Sequence, residues 1–200
     1  VVYMDAVMEM LRGQHPKKEI LPGGILYYHI DDPVLESDTP LSDEEAEQAL
    51  LFALRPDGLV NSGEEIYRAM DQNFEGKSQM IPVEIKKNGE ISTARSKVAS
   101  TEEFAVITRY VEHEIRQCGE AIYAGNIAVN PYRSDIETSC TYCPYASVCG
   151  MDAKIPGYEY RQFASMKKEE VLDQMQTELA RNRGKEERSD EMDEGTAERH

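Results

Sequence analysis

Apolar residues recur along the first half of this chain at helical, then strand, then helical spacing. Tyr3, Val7, Met10 and Leu11 predict an amphipathic helix that stops near Gly13. After Pro22-Gly23-Gly24, the run Ile25-Leu26-Tyr27-Tyr28-His29-Ile30 reads as a buried strand of aromatic and branched residues. Asp31-Asp32-Pro33 ends it, because a residue before proline is pushed toward extended geometry. Ser42 with Glu45 forms a capping box ahead of Ala46, Leu50, Leu51 and Leu54, which predicts a helix to about Arg55. Pro56-Asp57-Gly58 then reads as a turn, and Ser62 with Glu65 repeats the box before Ile66, Ala69 and Met70. Residues 81–86 and 90–93, joined by Lys87-Asn88-Gly89, predict a hairpin. Ser100 with Glu103 opens the longest helix, with Phe104, Ile107, Val111, Ile115 and Ile122 inward and Gly125 as its stop. Residues 126–165 keep neither period. From Lys167 onward charged residues dominate; residues 172–179 read as an exposed helix and the last twenty as disordered.

Composition bounds what this pattern can become. Two hundred residues predict one domain with a tail, and 30% charged residues against 40% hydrophobic leave part of the chain solvated. No apolar run approaches the ~18 residues of a membrane span, and no signal peptide leads the chain. A formal charge of −16 argues against a freestanding, nonspecific nucleic-acid binder, which needs clustered Lys and Arg. Four cysteines are too few and too unevenly placed for a secreted disulfide scaffold. The first helix begins at Val1-Val2-Tyr3 without a polar cap, so the chain reads as a fragment cut within a helix.

The chemistry concentrates in Cys140-Thr-Tyr-Cys143-Pro-Tyr-Ala-Ser-Val-Cys149. Two thiolates two residues apart can bite one metal centre from a single turn. The five-residue gap swings a third thiolate to another face, and Gly150 permits a sharp exit. Such spacing suits zinc or an iron–sulfur cluster, both of which normally take four ligands. Cys118, on the long helix, could complete a four-thiolate zinc set, although a lone helical cysteine usually packs as a small hydrophobe. His15, His29, His113 and His200 are scattered and show no ligand spacing.

Taken with three other segments, this stretch resembles the nuclease-bearing B subunits of AddAB-type ATP-dependent helicase/deoxyribonucleases from Gram-positive bacteria. The segments are Val1-Val2-Tyr3-Met4-Asp5-Ala6-Val7, the strand from Gly24 to Ile30, and Gly125-Asn126-Ile127-Ala128-Val129-Asn130-Pro131-Tyr132, which leads into the cysteines. The resemblance implies an α/β chain that forms the C-terminal part of a RecB-like PD-(D/E)XK nuclease domain. Residues 1–125 would be its later part, 126–165 an iron–sulfur closing segment, and 166–200 a charged, disordered tail. It implies a [4Fe-4S] cluster held by Cys140, Cys143 and Cys149 with a fourth cysteine far upstream, which leaves Cys118 a bystander. It implies Mg²⁺ in the nuclease and ATP in the complex. The parent would be a cytoplasmic subunit that pairs with a helicase-nuclease A subunit and processes DNA ends for recombinational repair. Tyr3 falls where the tyrosine of a Gln-x-x-x-Tyr motif would stand, in a supporting role. The acids and lysine that cut DNA would precede residue 1, so these 200 residues alone would be inactive.

Two local patterns compete with that placement. Pro56-Asp57 followed by Glu84-Ile85-Lys86 spells a literal PD-(D/E)XK, with Asp57 and Glu84 as metal ligands and Lys86 as the base or positioner. Its context opposes it: a turn explains Asp57, and a solvated strand face explains Glu84 and Lys86. Asp31-Asp32 at a strand end could hold a metal, but Pro33 explains the pair as a turn. The main alternative in another class is a zinc-stabilised interaction module using Cys118, Cys140, Cys143 and Cys149. A phage or CRISPR-associated exonuclease with a similar cysteine arrangement is a third reading.

Overall fold

The computed structural model describes residues 1–197 apart from 31, 38, 73 and 136, with side chains described as far as residue 183. Its elements, in chain order, are α1 (Val2–Gln14), β1 (Gly24–Tyr27), α2 (Asp43–Ala53), β2 (Asp57–Asn61), α3 (Glu64–Met70) and β3 (Val98–Ala99). They continue with α4 (Thr101–Tyr123), β4 (Tyr132–Arg133), α5 (Ala146–Cys149), β5 (Arg161–Gln162) and α6 (Lys168–Ala197). The chain divides into two compact units, Val1–Val111 and Glu112–His200, and the division falls within α4.

The first unit is built on a three-stranded mixed sheet in the order β1-β2-β3. β1 runs antiparallel to β2, with Gly24 opposite Val60 and Tyr27 opposite Asp57, whereas β2 and β3 are parallel. Val60, Tyr67, Phe74, Ile81, Val83, Ile85 and Val98 form its core, with Met70 and Ile91 packed against them. Burying side chains of this size stabilises the unit by about 1.5–3 kcal/mol each.

Asp57-Gly58 does not form the expected turn; it starts β2. Gly58 has φ +142°, and a Cβ there would overlap the Ile25 carbonyl oxygen. Glycine is needed at this point because two backbones meet, rather than because the chain reverses. β1 also corrects the expectation of a buried strand. It is half-buried at Gly24 and Ile25, then exposed at Leu26 and Tyr27, and it lies at the edge of the sheet with β2 as its one neighbour. Tyr28 and Ile30 beyond it are exposed as well.

Caps divide in the same way. Ser42 and Glu45 form the predicted box at α2, and Ser100 and Glu103 form theirs at α4. The third box does not form. Gly63 caps α3, while the Ser62 amide is drawn into the sheet, donating to Ala99 O at 2.9 Å. The buried Asn61 replaces that cap by accepting from the Gly63 amide at 2.9 Å. The hairpin is present: Lys86 N–H donates to Glu90 O, Ser92 N–H donates to Glu84 O, and Gly89 turns with φ +86°.

The second unit differs more from expectation. The stripe on α4 is buried at Phe104 in the first unit but leaves Ile115 and Ile122 exposed. Its end is as predicted, with Gly125 at φ +71° and the Asn126 amide donating to Ala121 O. The region expected to be irregular contains the short parallel pair β4-β5, with Tyr132 opposite Arg161. The exposed helix expected over residues 172–179 lies within α6, which begins at Lys168, and Leu172 in it is buried rather than exposed. Its Glu, Lys, Gln, Leu and Ala residues all favour helix, which charge counting alone undervalues. Among the described residues no helix is long and apolar enough to cross a membrane.

Candidate functional site

Three of the cysteines sit in one loop of the second unit. Tyr132, in β4, anchors the loop through an edge-to-face contact with Phe163, at 5.5 Å between centroids. Ser139 and Tyr132 exchange hydrogen bonds across the loop's base. Thr138 accepts from the Cys140 amide at 3.3 Å, and the Cys143 amide donates to Cys140 O at 3.3 Å, so one turn carries both thiols. Cys149 ends α5, where Gly150 in the left-handed region (φ +65°) redirects the chain. Cys140, Cys143 and Cys149 are all half-buried and unpaired; Cys118 is unpaired and exposed on α4, not packed as a core hydrophobe.

Tyr160 is a residue that the sequence reading missed at this site. The β4-β5 pairing brings it to the loop, where its ring lies 4.5 Å beneath the Arg133 guanidinium. A hydrogen bond with Cys140 raises the phenol's pKa above its ordinary value, and desolvation adds to the effect. No sequence signal marks this pair, because twenty residues and a strand pairing separate them.

The loop carries three soft sulfur donors, half-buried and free of disulfides, one fewer than the four that a thiolate-held zinc or iron–sulfur cluster normally takes. Among the described residues no three His, Cys, Asp or Glu side chains are gathered closely enough to hold a metal ion.

The literal PD-(D/E)XK residues are tied to other partners. Lys97 Nζ donates to both Asp57 carboxylate oxygens, at 2.7 and 2.6 Å, and the Gly58 amide donates a third bond at 2.7 Å. The Lys97 ammonium and then the Gly58 amide hold the Asp57 carboxyl below the usual carboxylate range. Glu84 instead pairs with Arg95 at 2.9 Å, and the exposed Lys86 lines a separate groove. Asp31 of the Asp31-Asp32 pair lies outside the described residues, as does His200. Tyr3 stands in the first turn of α1, 90% exposed.

Residues 1–150 match the PD-(D/E)XK nuclease superfamily. This chain belongs to that superfamily. It is 37% identical over 179 residues to the B subunit of the ATP-dependent helicase/deoxyribonuclease of Thermoanaerobacter sp. (strain X514), a match covering 90% of this chain and 15% of that protein. The protein of the same name from Lachnoclostridium phytofermentans is 37% identical over 179 residues, covering 85% of this chain and 15% of its own. That of Clostridium botulinum (strain Hall / ATCC 3502 / NCTC 13319 / Type A) is 36% identical, covering 90% and 16%. The chain therefore spans about one sixth of these relatives, and the resemblance to helicase/deoxyribonuclease B subunits is borne out.

Proposed function

We propose that this chain is the closing part of a nuclease domain in a B subunit that degrades and processes DNA ends for recombinational repair. The observation that carries this reading is the superfamily match over residues 1–150, together with relatives named as helicase/deoxyribonuclease B subunits. The intact polypeptide works in the cytoplasm with a helicase-nuclease A subunit, uses ATP for unwinding, and hydrolyses phosphodiesters with Mg²⁺ held by carboxylates. Those carboxylates and the motif lysine lie outside these 200 residues. The engagement of Asp57 by Lys97 and of Glu84 by Arg95 supports that placement. Tyr3, exposed on α1, serves the active site in a supporting role.

Cys140, Cys143 and Cys149 hold a [4Fe-4S] cluster, with a fourth ligand from elsewhere in the polypeptide. The cluster supplies a cross-link between segments distant in sequence, so its loss destabilises the domain rather than removing a reacting group. Tyr160, beside Cys140, donates its hydroxyl proton toward that sulfur and orients it.

The test is Mg²⁺-dependent degradation of linear duplex DNA by the full-length polypeptide assembled with its helicase partner. Wild type, Asp57→Asn and Glu84→Gln should all degrade DNA at similar rates. Abolished cleavage in Glu84→Gln would restore the literal motif as the active site. No degradation by the wild-type assembly would overturn the nuclease reading altogether.

A further inference from the structure

An open groove of about 610 Å³ lies between α3 and the hairpin, and its charge is opposite to that of the chain. Residues 68–97 carry six Lys and Arg against four Asp and Glu, within a chain of net charge −16. Three of those cations, Arg68, Lys86 and Lys87, line the groove, and Glu75 is the one carboxylate lining it. The other three acids are occupied: Glu84 by Arg95, Asp71 by the Ser78 hydroxyl, and Glu90 by the Asn88 amide. Among the described residues neither Lys86 nor Lys87 has an ion-pair partner.

The groove is also shaped in advance. Arg68 donates to Phe74 O at 3.1 Å, and its guanidinium lies 5.1 Å over the Phe74 ring, which fixes a cation that keeps further donors free. The hairpin bonds between Lys86 and both Glu90 and Gly89 fix the backbone from which the two lysines project. Gly76 and Gly89, on the rim, have positive φ and open space where a Cβ would stand, so a ligand can approach the main chain unobstructed.

We propose that this groove seats the phosphate backbone of a DNA strand, through Arg68, Lys86 and Lys87, and reads charge rather than sequence. The inference rests on the nuclease reading above and adds to it a strand-holding surface separate from the cysteine loop. Backbone phosphate contacts position a strand without distinguishing bases, and each neutralised phosphate releases counterions, which makes binding salt-dependent.

The experiment measures fluorescence anisotropy of two unrelated fluorescein-labelled single-stranded oligodeoxynucleotides with the full-length polypeptide. Chelator prevents cleavage, and salt runs from about 50 to 200 mM. K86A/K87A should weaken both sequences by the same factor and flatten the log–log salt slope by about 1.4, the value for two single-strand contacts. K17A/K18A removes the same charge from exposed positions after α1 and should bind as wild type. Thermal melts of both variants should match wild type, since all four lysines are exposed. Unchanged affinity and slope in K86A/K87A, or equal loss in K17A/K18A, would overturn the groove. If wild type binds in chelator, and its assembly with the helicase partner cuts DNA once Mg²⁺ is supplied, while K86A/K87A is unchanged, the groove alone is refuted. If wild type binds neither oligonucleotide while its assembly with the helicase partner still degrades DNA, the groove alone is refuted; if that assembly does not degrade DNA either, the nuclease reading falls with it.

Discussion

Replacing Asn61 with alanine should destabilise the first unit more than any exposed substitution. Asn61 is 1% exposed, and its side chain joins three segments that approach the end of β2. Its amide nitrogen donates to Pro22 O at 2.9 Å, ahead of β1, and to Thr101 Oγ1 at 3.0 Å, at the start of α4. Its carbonyl accepts from the Gly63 amide at 2.9 Å, where α3 begins. Alanine removes three bonds worth about 1 kcal/mol each and strands the buried Pro22 carbonyl, which adds about 1–3 kcal/mol, so the expected cost is about 4–6 kcal/mol. With a urea m-value of about 2 kcal/mol/M, the midpoint should fall by about 2–3 M at constant m. The chain has no tryptophan, so tyrosine fluorescence, with Tyr67 in the core, and far-ultraviolet circular dichroism would follow the transition. Thr101→Val loses one bond and should cost only about 1 kcal/mol. An Asn61→Ala cost no larger than that of Thr101→Val would refute the idea that this amide clamps the sheet to α3 and α4.

The Asp57–Lys97 pair gives a pH-dependent prediction. Because folding lowers the Asp57 pKa, the pair's stabilisation is present above the ordinary carboxylate value and is lost as pH falls through the lowered one. Both side chains are more than half exposed, so Lys97→Met should cost under about 1 kcal/mol at pH 7. That difference should shrink in high salt and disappear once pH falls below the lowered Asp57 pKa in urea titrations. A difference that persists at low pH would show that Lys97 acts through packing. Gly58→Ala should cost about 3 kcal/mol, since it combines a disfavoured φ with backbone overlap at Ile25. Native-state hydrogen exchange at the β1–β2 amides should report it, and unchanged protection there would contradict the close approach.

Local signals and tertiary ones differed in how readable they were. The boxes at Ser42 and Ser100 and the Gly125 stop depend on bonds across three to five residues, and all three formed as the pattern required. The Ser62 box failed because Ser62 is claimed by β3 through Ala99, a partner 37 positions away that no local rule weighs. Asp57-Gly58 misled for a related reason: the same dipeptide suits a turn and a close strand crossing, and only the antiparallel partner β1 decides between them. The apolar stripe of α4 was read correctly as a stripe, yet apolarity says nothing of whether a partner covers Ile115 and Ile122.

The candidate sites divide along the same line. Cysteine spacing is a local property, so Cys140, Cys143 and Cys149 stood out at once. Tyr160 beside Cys140, Lys97 on Asp57, and the Arg68–Lys86–Lys87 groove each arise from pairing between distant segments. The net charge of −16 masked the groove, because an average over 200 residues hides a basic stretch of thirty. That charge disfavours a freestanding nucleic-acid binder for the chain as a whole, whereas strand holding needs only one face.

The thiolate centre is tested most directly by iron, acid-labile sulfide and zinc per polypeptide in anaerobically purified full-length protein. Wild type should hold about four irons and four sulfides, matching a [4Fe-4S] cluster. Cys118→Ser should retain them, while Cys143→Ser should lose them and melt at lower temperature. Stoichiometric zinc without sulfide, lost in Cys118→Ser as well as in Cys143→Ser, would contradict the iron–sulfur assignment and establish the four-cysteine zinc module instead.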